Sequence, residues 1–195
     1  VFHAQMEAEE GSFTFENVAD GVCKKLIERH PHVFGEVEVT GSEEVLRNWD
    51  DIKKRSKGQT SQTETMLSVP RELPALMRAT KVQKKAAKVG FDWPDISGAV
   101  DKLYEETSEL SGAIESGSEE EIAEELGDLL FSAVNVSRFV GCDAEEALTA
   151  ATDKFMRRFA CVEEKARERG LKLEELSLSE LDALWDEAKL DLLSK

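Results

Sequence analysis

The sequence has 195 residues, 41% hydrophobic and 34% charged, with four prolines. That is enough apolar material for one packed domain or two small ones, and it excludes wholesale disorder. The net charge of −16 argues against nucleic acid or an anionic membrane as the main partner, because both require a basic face.

Residues 1–9 read as the back half of a helix. The chain starts "VFHAQM" without an initiator methionine, so the reading is of a fragment. Gly11 and Ser12 break that helix. "FTFENVADGVCKKLIERH" (13–30) places Val18, Val22 and Leu26 on one helical stripe. Pro31 stops it, and the histidines His3, His30 and His32 form no HExxH pattern. Residues 35–42 read as a loop or short extended piece, 42–57 as a helix, and 58–70 as a polar, mobile linker.

From Leu73 the pattern is continuously helical. One helix ends near Gly90. A first acidic helix is capped by Asp95 or Ser97 and turns at Gly117 and Ser118. A second ends at Gly141, and a third runs from its cap Asp143 to Gly170. The last opens on Ser177 and Glu180 in capping-box spacing. Strand signals are nearly absent. The expected class is all-α, with short connections favouring an antiparallel bundle.

Cys23, Cys142 and Cys161 are widely separated and show no CxxC spacing. Neither a disulfide framework nor a zinc site is indicated, and a reducing cytoplasm fits best. No apolar run approaches the ~20 residues that cross a bilayer. "VCKKLIERH" (22–30) resembles "ATDKFMRRF" (151–159), aligning Lys25 with Lys154 and Arg29 with Arg158. An internal repeat and chance likeness between two basic amphipathic helices both account for this.

The most unusual stretch is "KLYEETSELSGAIESGSEEEIAEELGDLLF" (102–131). Glu119, Glu120 and Glu121 sit where a helix N-terminus favours anions. Glu105 and Glu106 each fall about one turn from Glu109, as Glu125 does from Asp128. Such a run is commonly a solvated face. Three features favour a cation site instead. Like charges at that spacing repel. Glu125 and Asp128 flank the apolar row Ile122, Leu126, Leu129 and Leu130. Gly127 between them costs helix stability by roughly 1 kcal/mol relative to alanine, as if a backbone or ligand approached there. Against this, periodicity leaves Glu105 and Glu109 pointing to solvent. Oxygen-only ligands select Mg²⁺, Mn²⁺ or Ca²⁺.

"EETSE" followed by "ELGD" resembles the EExxE…ExxD signature of the all-α nucleoside triphosphate pyrophosphohydrolases. "RHPHVF" (29–34), Trp49 with Ile52 and Lys53, "LPALMRATKVQKKAAKVGFDW" (73–93), "EELGDLLFSAVNVSRF" (124–139) and "DKFMRRF" (153–159) are similar, in order, to segments of the MazG family. MazG proteins resemble a tandem of two modules. On that likeness residues 1–36 would be the C-terminal remnant of a first module, 37–72 a helix and mobile linker, and 73–195 a complete catalytic module.

The resemblance implies Mg²⁺-dependent hydrolysis of nucleoside triphosphates, over a broad range of bases, to monophosphate and pyrophosphate, with Mn²⁺ a possible substitute. It implies metal ligation by Glu105, Glu106, Glu109, Glu125 and Asp128, with Glu105 or Glu106 as general base. Lys154 and Arg158 would be catalytic cations on the phosphates, joined by Lys102 and, more weakly, Lys53. Trp185, which lies with Leu181, Leu184 and Ala188 on an apolar face, would stack on the base or pack in the core. Asn135 would be either a ligand contact or a structural amide. Trp93 would anchor the turn into the first acidic helix. A homodimer is expected, with residues 122–140 and 144–162 as its seam. The alternative is a helical dimer that senses nucleotides or a protein partner without turnover.

Overall fold

The computed structural model describes residues 1–35, 41–56 and 58–193. Among these residues the structure is helical and contains no strand. It divides into two compact units, Val1–Ser68 and Val69–Lys195.

Unit 1 contains α1 (Phe2–Glu9), α2 (Phe15–Arg29), α3 (Pro31–Phe34), α4 (Ser42–Ser56) and α5 (Gln62–Leu67). The Thr14 hydroxyl caps α2 by accepting from the Asn17 amide. Pro31 does more than stop α2. It opens α3, where its missing N–H costs nothing. The extended piece expected at 35–42 lies mostly outside the described residues. Segment 58–70 differs from the linker its polarity suggests, because it contains α5. The Ser61 hydroxyl accepts from the Glu64 amide at 3.0 Å, and the Glu64 carboxylate accepts from the Thr60 and Ser61 amides in return. This capping box holds the Glu64 carboxyl below the usual range through its backbone hydrogen bonds.

Unit 2 contains α6 (Ala75–Ala87), α7 (Ile96–Ser116), α8 (Glu119–Phe139), α9 (Ala144–Glu168), a short 3₁₀ turn (Leu173–Glu175) and α10 (Leu178–Leu193). Its helices start at caps the sequence shows. Asp95 accepts from the Ser97 amide, Asp143 from those of Glu145 and Glu146, and Ser177 pairs reciprocally with Glu180. Gly117, in the left-handed region at φ 75°, ends α7 and lets α8 fold back along it. The two 21-residue helices pack along their lengths as a hairpin. Helix α6 crosses α8 and α9, and Gln83 donates to the Phe131 carbonyl at 2.8 Å.

Two packing features fix the hairpin. Arg138 on α8 grips Asp92 in the loop before α7, with Nη1 to Oδ2 at 2.9 Å, and also donates to the Asn135 amide oxygen at 2.7 Å. Asn135 thus makes a structural contact through its amide oxygen. Trp93 lies over the first turn of α7, where a Cβ on Gly98 would meet the indole at 2.7 Å. A hydrophobic core joins α9 to α10 through Val162, Ala166, Leu184 and Ala188, with Cys161, Leu173, Leu176 and Trp185 packed against it. Full burial of Val162 and Leu184 contributes about 1.5–3 kcal/mol each.

Candidate functional site

The hairpin of α7 and α8 brings carboxylates from both helices together. One oxygen each of Glu106, Glu109 and Glu125 lies within 4.8 Å of the other two. The three differ in environment: Glu106 is only 3% exposed, Glu125 is half-buried, and Glu109 faces solvent. Helix α8 therefore covers one glutamate of α7 and leaves its neighbours Glu105 and Glu109 open, as the helical period expects of those two.

Lys102, one turn before Glu106, holds the cluster's charge in check. Its Nζ is 2.6 Å from Glu106 Oε1 and 2.9 Å from Glu105 Oε1. These hydrogen bonds, the one to Glu106 first, push the lysine pKa well above its ordinary value. Glu106 Oε2 is buried and accepts from no donor. Orphaned buried carboxylate oxygens are costly, and this one sits within a trio of carboxylates. Glu125 has its pKa raised, chiefly by desolvation and then by the charges of Glu109, Glu106, Asp128 and Glu124. Asp128 thus acts on Glu125 electrostatically, although it is exposed and stands outside the tight trio. An unsatisfied buried oxygen, two further carboxylates and a destabilised anion fit a bound metal ion. Hard all-oxygen donors favour a hard divalent cation.

Among the described residues a Cβ on Gly127 would meet nothing within 4 Å, so none of their backbone or side chains requires the glycine.

A second group of expected site residues gathers at α9 and α10. The Phe155 and Trp185 rings are 5.1 Å apart, and the Arg158 guanidinium carbon is 5.9 Å from the Trp185 ring centre. Trp185 is half-buried beside the α9–α10 core, so it packs and also presents part of its ring. Lys154 is exposed one turn before Arg158. Among the described residues, no hydrogen bond or ion pair joins this group to the carboxylate trio. Lys53 belongs to unit 1, where its Nζ lies 4.8 Å from the Trp49 ring centre.

Residues 1–34 and 97–162 match the family model of the MazG nucleotide pyrophosphohydrolase domain. The second stretch contains every carboxylate of the acidic hairpin. The chain is 42% identical over 191 residues to the nucleoside triphosphate pyrophosphohydrolase of Escherichia coli strain K12, covering 97% of this chain and 73% of that protein. It is 44% identical over 189 residues to the nucleoside triphosphate pyrophosphohydrolase/pyrophosphatase MazG of Thermotoga maritima, covering 97% and 71%. It is also 49% identical over 190 residues to the uncharacterized protein YabN of Bacillus subtilis, covering 97% of this chain and 39% of YabN. With a family domain matched in both units and relatives similar over nearly its whole length, the chain belongs to the MazG nucleotide pyrophosphohydrolase family.

Proposed function

We propose that this enzyme hydrolyses nucleoside triphosphates of broad base range to the monophosphate and pyrophosphate, using Mg²⁺, with Mn²⁺ as a substitute. The observation that carries the reading is the convergence of Glu106, Glu109 and Glu125, of which Glu106 has a buried oxygen without a donor. The names of the relatives in Escherichia coli and Thermotoga maritima support the same activity.

Glu106, Glu109, Glu125 and Asp128, with Glu105 beside them, would hold the metal. A divalent cation held there would supply charge neutralisation for the phosphates and activation of a water. Glu105 or Glu106 would accept the proton of the attacking water as its oxygen bonds to phosphorus. The bond to the leaving pyrophosphate then breaks with its electron pair. Lys102 already neutralises part of the cluster and can turn to a phosphate. Arg158 offers a bidentate fork and Lys154 a point charge to the phosphate chain. The exposed part of Trp185 offers a stacking face, which tolerates any base. In this reading Lys53 is the weaker candidate for the phosphate clamp.

We assign the active form to a homodimer. Apolar side chains on α8 (Leu126, Leu130, Phe131) and α9 (Leu148, Phe155, Met156) are about half-exposed, which supports a seam along these helices. The three cysteines are free, in keeping with a reducing cytoplasm.

The test measures pyrophosphate and monophosphate from a panel of NTPs and dNTPs, with Mg²⁺ and with EDTA. Equimolar products that require the metal are expected. A nucleotide-dependent rise in melting temperature without any pyrophosphate would replace this reading with the sensing one.

A further inference from the structure

Helix α10 rests on a narrow apolar seam. Its buried members are Val162 and Ala166 on α9 and Leu184 and Ala188 on α10. Apolar burial is non-directional, and two of these four side chains are single methyl groups. The seam holds the helices together without fixing how far α10 rolls on α9. Trp185 and Glu187 are two residues apart, roughly 200° around a helix. They therefore lie on opposite flanks of the Leu184–Ala188 stripe, and any roll that lowers one flank onto α9 lifts the other.

Each flank meets a different part of α9. On the Trp185 flank are Phe155 and Arg158, which precede the core residues of α9. On the other flank Glu187 pairs with Arg169, which follows them, and with Lys165 at 3.6 Å. Asp191, one turn on, pairs with the same lysine at 2.5 Å. Two cations one turn apart on α9 thus face two carboxylates one turn apart on α10. The Lys165 side chain is only 16% exposed, so its pairs are screened less than solvated ones. The Glu187 carboxyl lies below its usual range, first through the hydrogen bond from Arg169, and Lys165 lies above its own, first through that to Asp191. Such pairs add little to stability. Unlike the seam, however, charge-assisted hydrogen bonds have direction. The ion pair of Lys189 with Asp186, at 2.8 Å, runs within α10 and cannot set its roll.

We propose that Lys165, Arg169, Glu187 and Asp191 are positioning residues for the nucleotide base: they fix the roll of α10 on α9, and with it the face that Trp185 presents. The proposal rests on the reading that Trp185 stacks on the base. Glu187→Gln keeps the shape of the side chain and loses its charge. It should raise KM by up to ~5-fold, the most that partly exposed pairs supply, more for purine than for pyrimidine triphosphates, with kcat unchanged. Asp186→Asn removes the neighbouring charge without touching α9 and should leave KM as it was. Arg169→Lys, which keeps a cation for Glu187, should lie closer to the unaltered chain than Arg169→Met does. A direct readout follows the ring itself. The full chain labelled with 5-fluorotryptophan carries three reporters, Trp49, Trp93 and Trp185, and the fluorine resonance missing from Trp185→Phe identifies the third. Glu187→Gln should shift that resonance, and Asp186→Asn should not. A Trp185 resonance unmoved by Glu187→Gln, or an equal rise in KM from Asp186→Asn, overturns the proposal. A shifted resonance with unchanged KM supports the positioning and overturns the base contact instead. Absence of pyrophosphate release from the unaltered chain would overturn the catalytic reading alone, and the fluorine spectra would still decide this one.

Discussion

Three helical glycines of the acidic hairpin should respond to alanine with opposite signs. Gly112 and Gly127 lie in helix interiors, and a Cβ at either meets nothing within 4 Å. Alanine there gains up to ~1 kcal/mol of helix propensity and nothing opposes it. Gly98 is different. Its Cβ would lie 2.7, 2.8 and 3.2 Å from Trp93 Cε3, Cδ2 and Cγ, well inside van der Waals contact. The last of these atoms is near the root of the side chain, so a small ring rotation does not clear it. Overpacking of this kind costs about 1–3 kcal/mol. The propensity gain in a first turn is smaller than in an interior, so the clash wins. The net expectation for Gly98→Ala is a loss of about 1 kcal/mol, which for a chain of this length lowers Tm by about 2–4 °C. Thermal unfolding of the three variants, in EDTA, checks this. The consequence reaches function, because Trp93 sets the start of the helix that carries Glu105, Glu106 and Glu109. A Gly98→Ala protein as stable as the unaltered one would refute the account of how that start is held.

Glu106→Gln and Asp128→Asn should each abolish pyrophosphate release while the fold persists, and Glu106→Gln should also remove the rise in Tm that Mg²⁺ produces; near-normal kcat in either would sink the metal assignment. Arg158→Ala should lower kcat on the order of 10²-fold, as for a lost preorganised donor. Trp185→Ala should act chiefly on KM, more for purines than for pyrimidines, and unchanged KM in a stable protein would remove the stacking role. The raised pKa of Glu125 gives a pH signature. A carboxyl that binds its proton more tightly folded than unfolded makes the metal-free fold more stable as pH falls from neutral through the folded pKa, and that gain is lost as pH rises. Glu125→Gln should flatten this part of the EDTA stability profile, and an unchanged slope would mean the cluster does not strain Glu125. Sedimentation at micromolar concentration should find a dimer, and a monomer would refute the seam along α8 and α9.

What the sequence made legible was local. Asp95, Asp143 and Ser177 cap helices because a short polar side chain reaches its own backbone two or three residues on, and Gly117 turns the hairpin because it takes a left-handed φ. Helix α5 had a signal as well. Its "SQTE" at 61–64 has capping-box spacing, but the apolar face beyond it is too short to outweigh the surrounding polar residues. Contacts between distant residues were not legible. Nothing in the spacing of Asp92 and Arg138, or of Trp93 and Gly98, announces that the first pair is bidentate or that the second touches. The Asp92 carboxyl, held below its usual range chiefly by its hydrogen bond to Arg138, registers that tertiary contact.

The carboxylates show where periodicity runs out. A helical wheel correctly leaves Glu105 and Glu109 outside, because it compares each residue with the apolar stripe of its own helix. It cannot say which glutamate the second helix will cover, since that depends on how α8 lies across α7. The answer is Glu106, at 3% exposure. An ionised carboxylate so placed needs a counter-charge, and the sequence provides one at the only kind of position that survives the burial: Lys102, four residues earlier on the same helix, reaches Oε1 from the rim. One oxygen is thereby satisfied and the other is left without a donor. A structural ion pair could be completed by a second donor from the chain, and none is supplied among the described residues. Instead two more carboxylates stand within 4.8 Å, which worsens the electrostatics of the metal-free fold. The cluster makes physical sense as a site whose missing positive charge arrives from solution.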